Sequence, residues 1–206
     1  MIYFNNAATS WPKPPEVLKA VNDYLNGPPS HSARVGLEKN ADDPAQSCRE
    51  RLCKLFNADE PEQFVFTSGS TEALNLAIKG LDLNKAHVVT TNIEHNSVIR
   101  PLKHLELDGK IEITFVDCDE HAYVAPEKIE NAIKSNTKAI VVNHCSNVTG
   151  TILDLKRIAE IAHKHGIILI VDASQSAGAV DIDLKGWDID LLSFTGHKSL
   201  YGMQGI

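Results

Sequence analysis

A single lysine near the end of the chain, Lys198, has the setting that a nucleophilic amine needs. It follows an apolar run at residues 189–194 that is typical of a short buried strand, and the small or polar residues 195–197 separate the two. A lysine at the mouth of a buried strand is poorly hydrated, so its ammonium form is disfavoured and its pKa should fall. A free amine of this kind can form a Schiff base with an aldehyde. Because a lysine after a strand is more often a solvated turn residue, the other strand ends decide the interpretation.

The elements that must position Lys198 alternate between apolar strands and amphipathic helices from about residue 63 onward. Strands are predicted at residues 64–67, 87–91, 111–116, 139–143, 167–171 and 190–194. Helices are predicted between them at residues 71–81, 97–107, 126–135 and 154–165. This alternation predicts an α/β fold, a three-layer sandwich whose mostly parallel sheet of about six to seven strands is flanked by helices. The broken connection at residues 181–187 leaves open whether the last strand reverses.

The first sixty residues precede this alternation. Apolar residues at helical spacing follow the prolines at positions 12, 14 and 15, and a second helix is predicted at about residues 43–56. Residues 30–36 are expected to form an exposed or site-lining loop. The sequence therefore predicts an N-terminal segment, residues 1–60, with two helices that line the site, and a large ligand-binding domain, residues 61–206.

Composition narrows the function classes. The chain has 206 residues, of which 43% are hydrophobic and 23% are charged, as in ordinary globular proteins. A formal net charge of −7 disfavours nucleic acid as a partner, and no apolar run approaches the roughly 20 residues of a membrane span. The N-terminus lacks the features of a signal peptide. The four cysteines form no CxxC pair, so free thiols in a reducing cytoplasm and no metal site are expected.

The end of the first predicted strand offers a candidate anion site. In open α/β sheets, ligands bind outside the carboxyl ends of the strands. Residues 67–72 are small or polar and lead straight into a helix, whose N-terminal N–H groups favour an anion. The hydroxyls of Ser70 and Thr71 add donors. An ordinary helix cap with Glu72 in the first turn is the alternative, and the spacing of a P-loop is absent.

Three further strand ends suit an aromatic ligand that carries charge. His95 follows the second strand and could stack on a ring or carry a proton, although a surface histidine near a helix cap is equally common. Asn147 follows the fourth strand, and its amide could contact a ligand oxygen. Asp172 ends a dry apolar run and needs a cationic partner, such as a protonated ring nitrogen. Together with Lys198 and the anion site, these residues match pyridoxal 5′-phosphate (PLP), which has a phosphate, a pyridine nitrogen, a phenolic oxygen and an aldehyde.

Four motifs make this set similar to a known family. Residues 67–73, 94–96, 172–175 and 196–198 resemble the class V aminotransferase group of fold-type I PLP enzymes. Within that group, the cysteine desulfurase and selenocysteine lyase branch is the most similar. The opening residues 6–9 resemble the N-terminal motif of that branch.

The resemblance implies a role for each candidate residue. Lys198 would hold PLP as a Schiff base and later move the Cα proton of the substrate. His95 would stack on the pyridine ring, and Asp172 would pair with its nitrogen and keep it protonated. Gln175 and Asn147 would contact the side of the phenolic oxygen. The implied phosphate ligands are Ser70, Thr71, Thr195 and His197.

The resemblance also implies a reaction and partners. The family converts L-cysteine to alanine and an enzyme-bound persulfide, works as a homodimer, and can pass sulfur to an acceptor protein. Its small C-terminal domain, its persulfide cysteine and its carboxylate-binding arginine have no counterpart in the 206 residues, and Asn5 and Met203 depart from the family pattern. Little desulfurase activity is therefore expected from this chain alone. A transaminase, epimerase or selenocysteine lyase acting on another amino acid, and a non-catalytic remnant, remain alternatives.

Overall fold

The computed structural model, which describes residues 1–27 and 43–205, is built around a five-stranded parallel sheet. The strand order is β2-β1-β3-β4-β5, and every neighbouring pair is parallel. The strands are β1 (Ala86–Thr91), β2 (Ile111–Val116), β3 (Thr137–Asn143), β4 (Ile168–Asp172) and β5 (Leu191–Ser193). The helices of the described residues are α1 (Pro15–Asn26), α2 (Pro44–Leu55), α3 (Ser70–Gly80), α4 (Asn96–Leu107), α5 (Pro126–Asn131), α6 (Leu155–Lys164) and α7 (Leu184–Trp187).

The predicted α/β fold is confirmed, with differences in detail. Residues 64–67 form no strand, because the chain leaves a short 3-10 turn (Pro61–Gln63) and the Phe64 carbonyl accepts from Arg49 Nε at 2.9 Å instead of pairing with the sheet. The described sheet therefore has five strands instead of six or seven. The last strand does not reverse, although α7 supplies only four residues of helix to its crossover. The loop expected at residues 30–36 lies outside the described residues.

Two apolar layers cover the two faces of the sheet. Successive residues of β3 alternate between them: Ile140 packs in one cluster with α6, and Val141 packs in the other with α3 and α4. A parallel sheet covered on both faces needs apolar residues at nearly every strand position, which is why the strands were visible in the sequence as continuous runs. The three layers are helices, sheet and helices, and all five strand ends meet at one edge.

A buried glutamate joins β1 to β3 at that edge. The chain leaves β1 towards β2 on one side and β3 lies on the other, so this is the topological switch point of the sheet. Glu94 Oε1 accepts from Thr91 Oγ1 at 2.5 Å and from the Asn143 backbone N–H at 3.1 Å. Its Oε2 is buried and has no hydrogen-bond partner among the described residues. Burial raises the pKa of Glu94 to about 8, so the side chain is protonated at neutral pH.

Replacing Glu94 by glutamine should flatten the pH dependence of stability. Between the ordinary pKa of 4.5 and about 8, the folded protein keeps a proton that the unfolded chain has lost. The free energy of unfolding therefore falls as pH rises through this window, by up to about 1.4 kcal/mol per pH unit from this group. Glu94→Gln keeps a neutral side chain of similar shape and should remove that contribution. Urea unfolding from pH 5 to pH 9 measures it.

The matched control is Glu120→Gln, because the Glu120 side chain is 87% exposed. Its unfolding curves should follow those of the parent protein at every pH. If the Glu94→Gln curves also run parallel to the parent curves, the assignment of a buried proton to Glu94 is wrong.

Truncation of the central strand should destabilise the whole domain. The Ile140 side chain is fully buried in the apolar layer between the sheet and α6, so Ile140→Ala leaves a cavity and should lower the free energy of unfolding by about 2–5 kcal/mol. Leu107→Ala removes a side chain that is 86% exposed and should change it by no more than about 0.5 kcal/mol. Equal effects in chemical denaturation would show that the core is assigned wrongly.

Candidate active site

A cavity of about 230 Å³ opens at the carboxyl edge of the sheet. All nine candidate residues from the sequence line it, although they come from distant parts of the chain. They are Ser70, Thr71, His95, Asn147, Asp172, Gln175, Thr195, His197 and Lys198. The structure thus brings the whole predicted set to one place, and the individual roles remain predictions.

The candidate anion site is the turn into α3. Gly69 has φ +136°, a conformation that side chains disfavour, and it serves as the N-cap of the helix. The N–H groups of the first helical residues, Ser70 and Thr71, have no partner within the helix and are available to a ligand. Thr71 Oγ1 is hydrogen-bonded to Ser97 Oγ at 2.8 Å. Nearby, Glu72 accepts from the Ser68 N–H at 2.7 Å, which lowers the pKa of Glu72 and closes the turn.

The Ser70 hydroxyl has a different environment from the one that the sequence suggested. It lies 2.7 Å from Ser193 Oγ and 2.7 Å from Ser174 Oγ, and Ser174 in turn donates to Asp172 Oδ1. A chain of hydroxyls therefore links the anion site to the acid. Ser70 would serve an anion through its backbone N–H, since its side chain is already bonded within the protein.

The acid and the amine share the cavity. Asp172 ends β4, is 5% exposed, and accepts from the Ser174 N–H at 2.9 Å. Burial lowers the pKa of Lys198, and the negative charge of Asp172 partly opposes this shift. A lowered pKa of Lys198 is what the sequence predicted. A larger fraction of Lys198 is the free amine at neutral pH than for a solvated lysine.

The remaining predicted residues surround this pair. His95 is the N-cap of α4, and its Nδ1 accepts from the Ser97 N–H at 3.1 Å, which leaves Nε2 as the nitrogen that can donate. Gln175 Nε2 donates to the Ala7 carbonyl at 2.9 Å, which ties the N-terminal segment to the cavity. Asn147 lies on the exposed loop that follows β3.

Some lining residues were not singled out from the sequence. Asn143, at the end of β3, is 4% exposed, and its Oδ1 has no hydrogen-bond partner among the described residues. Cys145 lines the same wall, and burial raises the pKa of its thiol. The polar run at residues 143–150 was the only signal for them, and alternation along the strand could not say which members face inward.

Three general features accompany the cavity. Residues 1–27 and 43–205 contain no group of three or more metal-ligating side chains that could hold a metal ion. No helix of the described chain has the length and apolar character needed to cross a membrane. All four cysteines are free thiols.

Comparisons with known proteins agree with one another. The family model for aminotransferase class V matches residues 2–206. Cysteine desulfurases IscS from Pseudomonas fluorescens and Ectopseudomonas mendocina are 39% and 36% identical to the chain over 215 residues. A cysteine desulfurase from Thermococcus onnurineus superposes with a TM-score of 0.91 at 31% identity, covering 99% of this chain and 52% of that one. The structure of SspA in complex with cysteine superposes with a TM-score of 0.84 at 31% identity, covering 100% of this chain and 59% of that one.

The matches to both IscS relatives cover 100% of this chain but 52% of each relative, so the chain spans about half the length of the curated relatives it matches. The whole of the described fold takes part in the likeness. From the match over residues 2–206 and the cavity residues, we conclude that the chain belongs to the aminotransferase class V family, whose cysteine desulfurase members are PLP-dependent.

Proposed function

We propose that this chain is the cofactor-binding part of a cysteine desulfurase and that it attaches PLP covalently through Lys198. The observation that carries the proposal is the pairing of Lys198 and Asp172 in one cavity, with a helix N-terminus opening onto it. An amine of lowered pKa suits the aldehyde of PLP, and a buried carboxylate suits its pyridine nitrogen.

The residues present fit the cofactor. The N–H groups of Ser70 and Thr71 are available to an anion. Asn143 Oδ1 is a buried acceptor that no described residue satisfies, so a bound molecule with a donor would relieve it. His95 is exposed where the cavity opens and can lie against a ring. The residues proposed to hold PLP are Ser70, Thr71, His95, Asn147, Asp172, Gln175, Thr195, His197 and Lys198.

PLP supplies an electron sink that stabilises negative charge at the Cα of an amino acid. Asp172 would keep that sink effective, because its carboxylate stabilises a proton on the ring nitrogen. Lys198 would move the proton at Cα, and His95 would hold the ring by stacking and could carry a proton. We propose L-cysteine as the substrate, with alanine and sulfur bound to a cysteine as the products, since the matched relatives are cysteine desulfurases.

The proposal extends to the domain organisation, the partners and the location of the protein. Residues 1–60 would act as a segment that lines the site, and the Gln175–Ala7 hydrogen bond supports this. Residues 61–206 would be the PLP-binding domain. We further propose a homodimer, a sulfur-acceptor protein as partner, and a cytoplasmic location, for which the free thiols give support.

Borohydride trapping tests the cofactor assignment. The 206-residue protein is mixed with PLP, reduced, digested and mapped by mass spectrometry. A pyridoxyl group is expected on Lys198, because its amine is less protonated than a solvated lysine. Lys198→Arg should abolish the label, whereas Lys185→Arg, which changes an exposed lysine paired with Asp59, should retain it. Label at other lysines, or none on a folded protein, contradicts the proposal.

Product analysis tests the proposed substrate. A longer version of the protein that carries the half present in the relatives should convert L-cysteine to alanine in stoichiometric amounts with released sulfide in the presence of a reductant. The 206-residue chain should release little alanine, and Lys198→Arg in the longer version should abolish the activity. Conversion of cysteine to another product, or keto-acid formation in place of alanine, would show a different reaction of the family.

A further inference from the structure

The opening residues of the chain reach across the fold to the peptide that precedes Lys198. Four donors converge on the backbone carbonyl oxygen of His197. They are Thr9 Oγ1 at 3.1 Å, the Ser10 N–H at 3.2 Å, Ser10 Oγ at 3.1 Å and Lys13 Nζ at 2.8 Å. The donors and the carbonyl are separated by more than 180 residues in the sequence. The N-terminal segment therefore helps to fix the turn that carries Lys198.

A carbonyl oxygen has two lone pairs, so four donors exceed what it can accept well. The charged Lys13 amine makes the shortest of the four contacts, and a backbone N–H cannot turn away. The Thr9 hydroxyl can rotate, and it has a second possible acceptor, the Nδ1 atom of the His197 ring at 3.0 Å. Donation of its single proton to that nitrogen relieves the crowded carbonyl.

The consequence is a defined tautomer. A His197 Nδ1 atom that accepts a hydrogen bond leaves the ring proton on Nε2. Nε2 has no hydrogen-bond partner among the described residues, and His197 lines the cavity. Burial lowers the pKa of His197, and the positive charges of Lys198 and Lys13 lower it further, so the ring is neutral near pH 7. His197 then offers one directed N–H to the cavity.

We propose that Thr9 and Lys13 are positioning residues that fix His197 as the neutral Nε2–H tautomer, a directed donor for the phosphate of the cofactor. Thr9 sets the tautomer by donating to Nδ1, and Lys13 holds the His197–Lys198 peptide through its hydrogen bond to the carbonyl, while its positive charge adds to the effect of burial and of Lys198 on the ring. Assignment of the phosphate as the acceptor rests on the proposed function. The tautomer itself does not.

Nitrogen-15 NMR of the histidine side chains in the 206-residue protein measures the tautomer directly, and His197→Gln assigns the signal. In the parent protein the Nε2–H form is expected. Thr9→Val removes the hydroxyl but keeps the shape, and should produce a mixture of tautomers. Thr9→Ser keeps the hydroxyl and should restore the parent signal. A parent ring protonated on Nδ1, or a Thr9→Val spectrum identical to the parent, overturns the proposal.

The charge of Lys13 is tested in the same way. Lys13→Met should raise the pKa of His197, because one of the two nearby positive charges is lost, and Lys13→Arg should return it towards the parent value. Lys19→Met is the control, since Lys19 is exposed on α1 and pairs with Asp23. Thermal unfolding confirms that each variant is folded. An unchanged His197 pKa in a folded Lys13→Met variant contradicts the role of Lys13.

Binding of PLP separates this inference from the proposed function. Thr9→Val leaves only part of the protein in the Nε2–H form, so its apparent dissociation constant for PLP should rise by the inverse of that fraction, about twofold for an even mixture. Thr9→Ser should bind PLP as the parent protein does. If the NMR results are as expected but borohydride labels no Lys198, the proposed function fails and the tautomer assignment stands. If Lys198 is labelled but Thr9→Val changes neither tautomer nor affinity, the inference fails alone.

Discussion

The parallel direction of all five strands is the constraint on which the rest of the structure depends. Because each strand runs the same way, each carboxyl end reaches the same edge, and residues separated by more than a hundred positions become neighbours. The apolar runs that build the strands are buried on both faces, so the polar residues that end them stand where desolvation is strong. That is why the amine at Lys198 has a lowered pKa and why the carboxylate of Asp172 stays among hydrogen-bond donors.

Much of this arrangement could be predicted, because it is encoded locally. The helices follow from apolar spacing and caps, and the strands that formed are continuous apolar runs. Residues 64–67 have the same local character, yet none of the described strands pairs with them, and the Phe64 carbonyl accepts from the Arg49 side chain instead. Strand pairing is a tertiary property, so the pattern of four residues could not distinguish a strand from an extended connection.

The hydroxyl chain at the site illustrates what sequence reasoning could not reach. Its members Ser70, Ser174 and Ser193 come from three elements, and they meet because β4 and β5 pair with Asp172 opposite Ser193. Register of that kind leaves no mark in a single sequence. Ser70 was predicted as a phosphate ligand from its place at a helix start. In the structure Ser70 lies at the cavity, but its hydroxyl is hydrogen-bonded to Ser193 and Ser174, so only its N–H remains for an anion.

The two carboxyl groups near the edge show how the fold separates charge. Glu94 and Asp172 both lie at strand ends, and the charge of Asp172 contributes to the raised pKa of Glu94. Asp172 keeps two donors from Ser174, whereas Glu94 Oε2 is buried without a partner among the described residues. Burial without a partner at Oε2 therefore keeps the proton on Glu94. Were Glu94 ionised as well, a second negative charge would lie at the same edge of the sheet. By keeping Glu94 neutral, burial at the switch point leaves Asp172 as the strand-end acid that lines the cavity.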